Sequence, residues 1–193
     1  MNSAKSIILA SGSPRRRELL AQLGVNFEVI AQDIDESLLE GETPRDYVLR
    51  LSRAKAMAGF TCSGGRLPVL GSDTIVLLDG EILCKPGSTT EAENMLQRLS
   101  GRTHEVYSAV ALMLGPDMLT DALNITAVTF GDMPLAWIRR YSQSDEPMDK
   151  AGGYAVQGGT GQYISRIEGS YTGVMGLPLF ETAGLLRRAG LLK

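Results

Sequence analysis

The sequence predicts an α/β protein in which helices flank a central sheet that is mixed and largely antiparallel. Three observations carry that expectation. Short apolar runs bounded by turn residues alternate with segments of helical periodicity, the pattern of a sheet with helices packed on it. Two hairpin signals, Asp79-Gly80 and Gly115-Pro116-Asp117, fall among the apolar runs, so the sheet contains antiparallel pairs as well as parallel ones. Hydrophobic residues make up 44% of the chain against 21% charged, a balance that builds a core rather than a disordered coil. At 193 residues the chain suits one domain spanning 1–193, with a two-lobed outline.

Each element has a local reason. Residues 6–10 read as a short buried strand feeding the tight loop Ser11-Gly12-Ser13-Pro14. Ser13 has the side chain of an N-cap and Pro14 the preset φ of a first helical residue, so a helix starts there and stops at Gly24. Residues 26–31 form a second strand. Thr43-Pro44 opens a helix with Tyr47, Val48 and Leu51 on one face, fading near Gly59. Residues 67–78 are β-rich but interrupted by Gly71-Ser72-Asp73-Thr74, and Asp79-Gly80 turns the chain into a strand over 81–84. The spacing of Thr90 and Glu93 is that of a capping box, and the helix it starts carries Met95, Leu96 and Leu99 before ending at Gly101. Residues 104–130 read as one large hairpin, followed by a short helix near 134–141 with Trp137 and Ile138 inward. A glycine-rich stretch, a strand near 163–167 and a helix over Leu179–Arg188 close the chain.

The net charge of −3 argues against a general nucleic-acid binder. Cys62 and Cys84 stand in no spaced pattern, which excludes a disulfide framework and a zinc motif and points to a reduced cytoplasm. The apolar run from Ile7 to Ala10 is too short for a signal-peptide core, and no stretch approaches the ~18 residues of a membrane span. A soluble, cytoplasmic protein with no membrane partner is expected.

The most informative segment is Ser11-Gly12-Ser13-Pro14-Arg15-Arg16-Arg17. A strand, a tight loop and a helix N-terminus together leave free N–H groups aimed at one point, which suits a phosphate. Three arginines in a first helical turn are wrong-signed for the helix dipole unless an anion lies there, and guanidinium pairs well with phosphate oxygens. A plain capped helix with solvated arginines is the other reading. The loop is not a Walker A motif.

Asp73 interrupts an apolar strand, where a carboxylate needs a partner, a hydrogen bond or a metal; it is either a strand-end turn residue or a base or magnesium ligand. Gly71 beside it marks a bulge or a close backbone approach. Asp33, Asp35 and Glu36 form an acidic cluster that reads equally as a solvated face, and Lys55 and Lys85 taken singly read as surface lysines. Gln157, in a polar glycine-rich stretch, is either an exposed glutamine or a reader of a nucleobase edge. His104 is the only histidine, so carboxylates with Mg²⁺ or Mn²⁺ are the natural chemistry.

Taken in order, these segments resemble the Maf family of nucleotide pyrophosphatases. The resemblance is carried by residues 9–16, Asp35-Glu36, Arg53-Ala54-Lys55-Ala56, residues 71–76, Lys85-Pro86, residues 99–104, Asp149-Lys150-Ala151-Gly152 and Gly176-Leu177-Pro178-Leu179. It implies the ITPase-like/Maf-like fold and hydrolysis of a nucleoside triphosphate to the monophosphate and pyrophosphate. By the same resemblance Asp73 is the proton acceptor, Glu36 and Asp73 hold a divalent cation (Mg or Mn), and Lys55 and Lys85 act with them. Ser11, Ser13, Arg15 and Arg16 bind substrate with Thr74 and Gln157, which match the dTTP/UTP branch. A homodimer is implied too. The alternatives are a 7-methyl-GTP pyrophosphatase of the sister branch and a non-catalytic nucleotide-binding regulator of cell division. Ser72 stands where the family often has alanine, Cys84 where an acidic residue often precedes the lysine, and Gly153 where alanine is common.

Overall fold

Three of the helices longer than four residues begin where a hydroxyl side chain takes an orphan amide. Ser13, Thr43 and Ser88 accept from the N–H of Arg16, Asp46 and Glu91, and the first two are followed by the expected proline. The computed structural model describes residues 7–193; Ser6, the predicted first residue of the first strand, lies outside the described residues. Along the chain run β1 (Ile7–Leu9), α1 (Pro14–Gln22), β2 (Phe27–Val29), α2 (Pro44–Cys62), β3 (Val69–Leu78), β4 (Glu81–Leu83) and α3 (Thr89–Leu99). They are followed by β5 (Thr103–Gly115), β6 (Met118–Phe130), α4 (Leu135–Ser142), β7 (Ile164–Glu168), α5 (Tyr171–Val174) and α6 (Leu179–Arg188).

The predicted mixed sheet is present, with order β2-β1-β3-β5-β6-β7 and β4 paired to β3. β1 runs parallel to both β2 and β3, whereas β3–β4 and β6–β7 are antiparallel. Asp79 and Gly80 both take positive φ, 54° and 81°, the conformation a two-residue hairpin needs to match strand twist. Three local expectations are corrected. β3 is continuous through Gly71-Ser72-Asp73-Thr74, because tertiary partners satisfy what propensity disfavours. The cap of α3 is Ser88, not Thr90, and Glu91 reaches back to the Gly87 amide at 2.8 Å. α2 passes Gly59 and ends at Cys62, since Gly59 faces Val69 and Ala10 too closely to admit a side chain.

Two compact units divide the chain. One takes residues up to Asp73, Ser108–Asn124 and Gly176–Lys193; the other takes Thr74–Tyr107 and Ile125–Met175. In the first, Ile8, Ala10 and Val69 pack with Ile30, Phe60 and Leu67, and Ala56 packs with Ala111 and Met113. In the second, Val76, Leu96, Leu99, Val128, Phe130, Ile138 and Tyr154 belong to one larger cluster. No helix among the described residues is long and apolar enough to cross a membrane.

Candidate functional site

Alternation along β3 puts Gly71 and Asp73 on the same face. A Cβ on Gly71 would collide with the carbonyl of Ser52 and lie 2.5 Å from the amide of Ala56, so only glycine lets α2 lie this close. Ser52, Lys55 and Ala56 share one face of α2 at helical spacing. The close approach therefore delivers Lys55 to Asp73: both are buried, and Lys55 Nζ donates to Asp73 Oδ1 at 2.6 Å. The same ammonium lies 2.6 Å from Glu36 Oε1. One cation thus joins two carboxylates, the second of them from the loop after β2.

That loop is anchored from α2. The Tyr47 hydroxyl donates to the Glu36 carbonyl at 2.7 Å, and Arg50 binds the Ser37 carbonyl at 2.9 Å while forming a two-pronged pair with Glu42. Asp35 accepts the Ser37 amide at 2.8 Å, and the Ser37 side chain first, with that amide second, holds its carboxyl below the ordinary aspartate range. Within the predicted acidic cluster, then, Glu36 joins the lysine and Asp35 shapes the turn.

The Ser11–Arg16 loop follows β1, which is registered against β3 at Leu9 and Leu70. Ser11 is buried, and its Oγ accepts from the Ser13 amide at 3.2 Å and from Arg16 at 3.4 Å. Ser13 caps α1 through a long 3.5 Å bond from the Arg16 amide. Arg16 is half-buried, with Nε donating to the Gly176 carbonyl at 2.8 Å. Burial lowers the pKa of its guanidinium, Asp73 and Glu36 act to raise it, and Arg15 to lower it further. An arginine keeps its charge under such a shift, so the loop holds a fixed cation near the two carboxylates. Arg15 is half-buried and Arg17 exposed. Ser72 is buried, its hydroxyl 2.8 Å from the Ala109 carbonyl and 3.0 Å from that of Gly176.

Ser11, Ser13, Arg15, Arg16, Glu36, Lys55 and Asp73 thus all belong to the first unit. Thr74, Lys85 and Gln157 belong to the second, where Thr74 is half-buried and Lys85 and Gln157 are exposed. Two contributors escape sequence reasoning. Tyr47 reads as a core residue of an amphipathic helix, and only its hydroxyl bond shows that it tethers Glu36. The Gly176 carbonyl is a backbone group whose sole sequence signal is the Gly-Leu-Pro break before α6.

His104 has no part in this cluster. It is buried in the second unit, 2.7 Å from the Tyr154 hydroxyl through Nε2 and stacked on Phe130. Burial pushes its pKa down to about 4, so it is neutral at pH 7.

The family described as Maf-like protein matches residues 6–189. A dTTP/UTP pyrophosphatase of Escherichia coli is 52% identical over 181 residues, covering 94% of this chain and 91% of its own. A dTTP/UTP pyrophosphatase of Pseudoalteromonas atlantica is 49% identical over 189 residues, covering 96% and 97%. Among solved structures, a nucleoside-triphosphatase / dITP/XTP pyrophosphatase of Mycobacterium abscessus is 18% identical with a TM-score of 0.45 over 67% of this chain and 76% of that one, too distant to carry an argument.

Proposed function

The chain belongs to the Maf family, and on that premise we propose that it hydrolyses dTTP and UTP, with modified pyrimidine triphosphates, to the monophosphate and pyrophosphate. The observation that carries the reading is the Lys55 ammonium held at 2.6 Å by both Asp73 and Glu36, with Arg16 close enough to feel both carboxylates. The names of relatives about half identical over nearly the whole chain support the choice of substrate.

In this reading Ser11, Ser13, Arg15 and Arg16 receive the polyphosphate with Lys55 and Lys85, and Thr74 and Gln157 contact the base. Asp73 takes a proton from a water that attacks phosphorus in line. The bridge between the α- and β-phosphates breaks, and pyrophosphate leaves with the bonding electron pair. The donor set fits a divalent cation, because Asp73 and Glu36 present hard oxygen donors to a single positive charge. Among the described residues no group of three or more acidic, histidine or cysteine ligands occurs, so phosphate oxygens and water would complete the shell, as Mg²⁺ or Mn²⁺ permits. Bound there, the cation supplies charge neutralisation for the phosphates and the departing pyrophosphate. The rest is positioning and electrostatics by the chain's own groups.

Pyrophosphate release from dTTP, UTP, CTP, ATP, GTP and 7-methyl-GTP, with Mg²⁺ or Mn²⁺ and an EDTA control, tests the proposal. Metal-dependent release concentrated on dTTP and UTP is expected. Release from 7-methyl-GTP alone keeps the chemistry and overturns the roles given to Thr74 and Gln157. Silence across the panel from folded protein overturns the catalytic reading in favour of a binding protein.

A further inference from the structure

Residues 155–161 fold as two successive turns that leave one side chain outside. The Gly158 amide donates to the Ala155 carbonyl at 3.0 Å, closing a turn over Val156 and Gln157, and the Gly161 amide donates to Gly158 at 3.0 Å. The Thr160 hydroxyl adds a 2.7 Å bond to the same Ala155 carbonyl. Ala155, Val156 and Thr160 are buried while Gln157 is exposed, so the turn is rooted in the core and carries the glutamine near its tip.

A single carboxylate holds the exit of that turn. Glu146 Oε1 accepts from the Gly159 amide at 3.1 Å and from the Tyr141 hydroxyl at 2.9 Å. Tyr141 is buried and stacks on Trp137 at 4.8 Å, and Trp137 meets Tyr163 edge-on at 4.7 Å. Burial, with Glu146 beside it, raises the Tyr141 pKa and keeps its hydroxyl a donor. The chain also leaves room for the carboxylate: a Cβ on Gly158 would land on Glu146 Oε1. The φ of Gly158 is −104°, open to any residue, so glycine serves the carboxylate there rather than the backbone. Nothing in the proposed chemistry uses Glu146, yet backbone, tyrosine and glycine all converge on it.

We propose that Glu146 is a positioning residue for substrate selection, fixing the exit of the Gln157 turn and with it the reach and direction of the Gln157 carboxamide toward the nucleobase. The inference rests on Gln157 being a base contact, as proposed above. Uracil and thymine present a carbonyl where cytosine presents an amine, so a glutamine held in one place rewards one pattern and a loose one adapts to both. Selectivity is therefore the quantity that Glu146 controls.

The test is a set of variants scored by the UTP:CTP ratio of kcat/KM. Glu146→Ala removes the carboxylate, Gly158→Ala displaces it sterically, and Glu146→Gln keeps an acceptor in place. The first two should lower the ratio about tenfold, the scale of one mis-set hydrogen bond, mainly by raising KM for UTP with kcat nearly kept. Glu146→Gln should restore most of it, and in a Gln157→Ala background Glu146→Ala should change the ratio no further. Emission from Trp137, the only tryptophan of the chain, reports whether each variant keeps the aromatic stack. An unchanged ratio, an equal fall in kcat/KM for every nucleotide, or additive effects in the double variant overturn the inference while leaving the proposed activity intact. A wild-type protein that releases no pyrophosphate from any nucleotide overturns that activity and, with it, this inference.

Discussion

In the first unit Lys55, 8% exposed, and Asp73, 7% exposed, meet at 2.6 Å as an ion pair; in the second, His104, 2% exposed, and Tyr154, 5% exposed, meet at 2.7 Å as neutral groups. Both pairs are buried and both are hydrogen-bonded, yet they answer the penalty for burying polar atoms in opposite ways. His104 and Tyr154 give up ionisation and join Phe130 in an aromatic cluster, which a core can use directly. Lys55 and Asp73 form an ion pair that Glu36 joins at 2.6 Å. A buried ion pair is weak evidence for stability, since apolar residues of similar volume often do as well. The buried ion pair is therefore the place to look for chemistry, and the neutral pair is where to look for structure.

The largest effect should come from Asp73→Asn, which keeps shape and hydrogen bonding but cannot take a proton. Turnover should fall by about 10²–10⁴-fold with nucleotide binding preserved, as read by a nucleotide-dependent melting shift beside a pyrophosphate assay. Near-normal turnover would erase the distinction between the two clusters. Lys55→Met leaves two carboxylates facing each other without their cation. It should lower stability by up to about 3–5 kcal/mol, and added Mg²⁺ should raise its melting temperature more than that of wild type. An equal response in both proteins would argue against a cation site at Glu36 and Asp73.

His104 sharpens the other side of the comparison through pH. Its pKa in the folded protein, about 4, lies below the ordinary 6.5, so the unfolded chain binds the extra proton first. Its contribution is complete above pH 6.5 and is lost as pH falls toward 4, on the order of 3 kcal/mol in all. Melting curves of wild type and His104→Gln across that window should converge as pH drops, with turnover at neutral pH unchanged in the variant. Gly71→Ala should cost at least the upper end of the usual ~1–3 kcal/mol of overpacking, because its Cβ would land on backbone atoms that cannot swing aside. Because the added methyl meets the backbone of α2, turnover should fall along with stability; loss of stability alone would separate the close approach from the Lys55–Asp73 contact.

Much of the fold was legible because its signals are local. Ser13-Pro14, Thr43-Pro44 and Asp79-Gly80 act within four residues of themselves, and Leu179–Arg188 begins and ends where its pattern does. The misreadings have physical causes as well. Ser88, Thr89 and Thr90 are three hydroxyl residues in a row, and propensity alone does not choose the cap that Glu91 completes from Gly87. Gly71 and Asp73 both disfavour a strand, so β3 looked broken. The short helix α5 gave no sign, since four residues carry no period.

The candidate site divides along the same line. By itself the sequence determined that a capped, arginine-bearing helix follows a tight loop, that a carboxylate sits in an apolar strand, and which family the segments resemble. It placed Lys55 and Glu36 on the list of candidates by resemblance, but each read alone as an ordinary surface charge. Only the tertiary structure decided that one ammonium holds both carboxylates, that Arg16 is tied to the Gly176 carbonyl, and that Glu146 braces the turn bearing Gln157. The reason is physical: caps and turns are satisfied by the nearest few residues, whereas the partner of a buried charge is set by which backbones can approach one another, and at β3 that is settled by the missing side chain of Gly71.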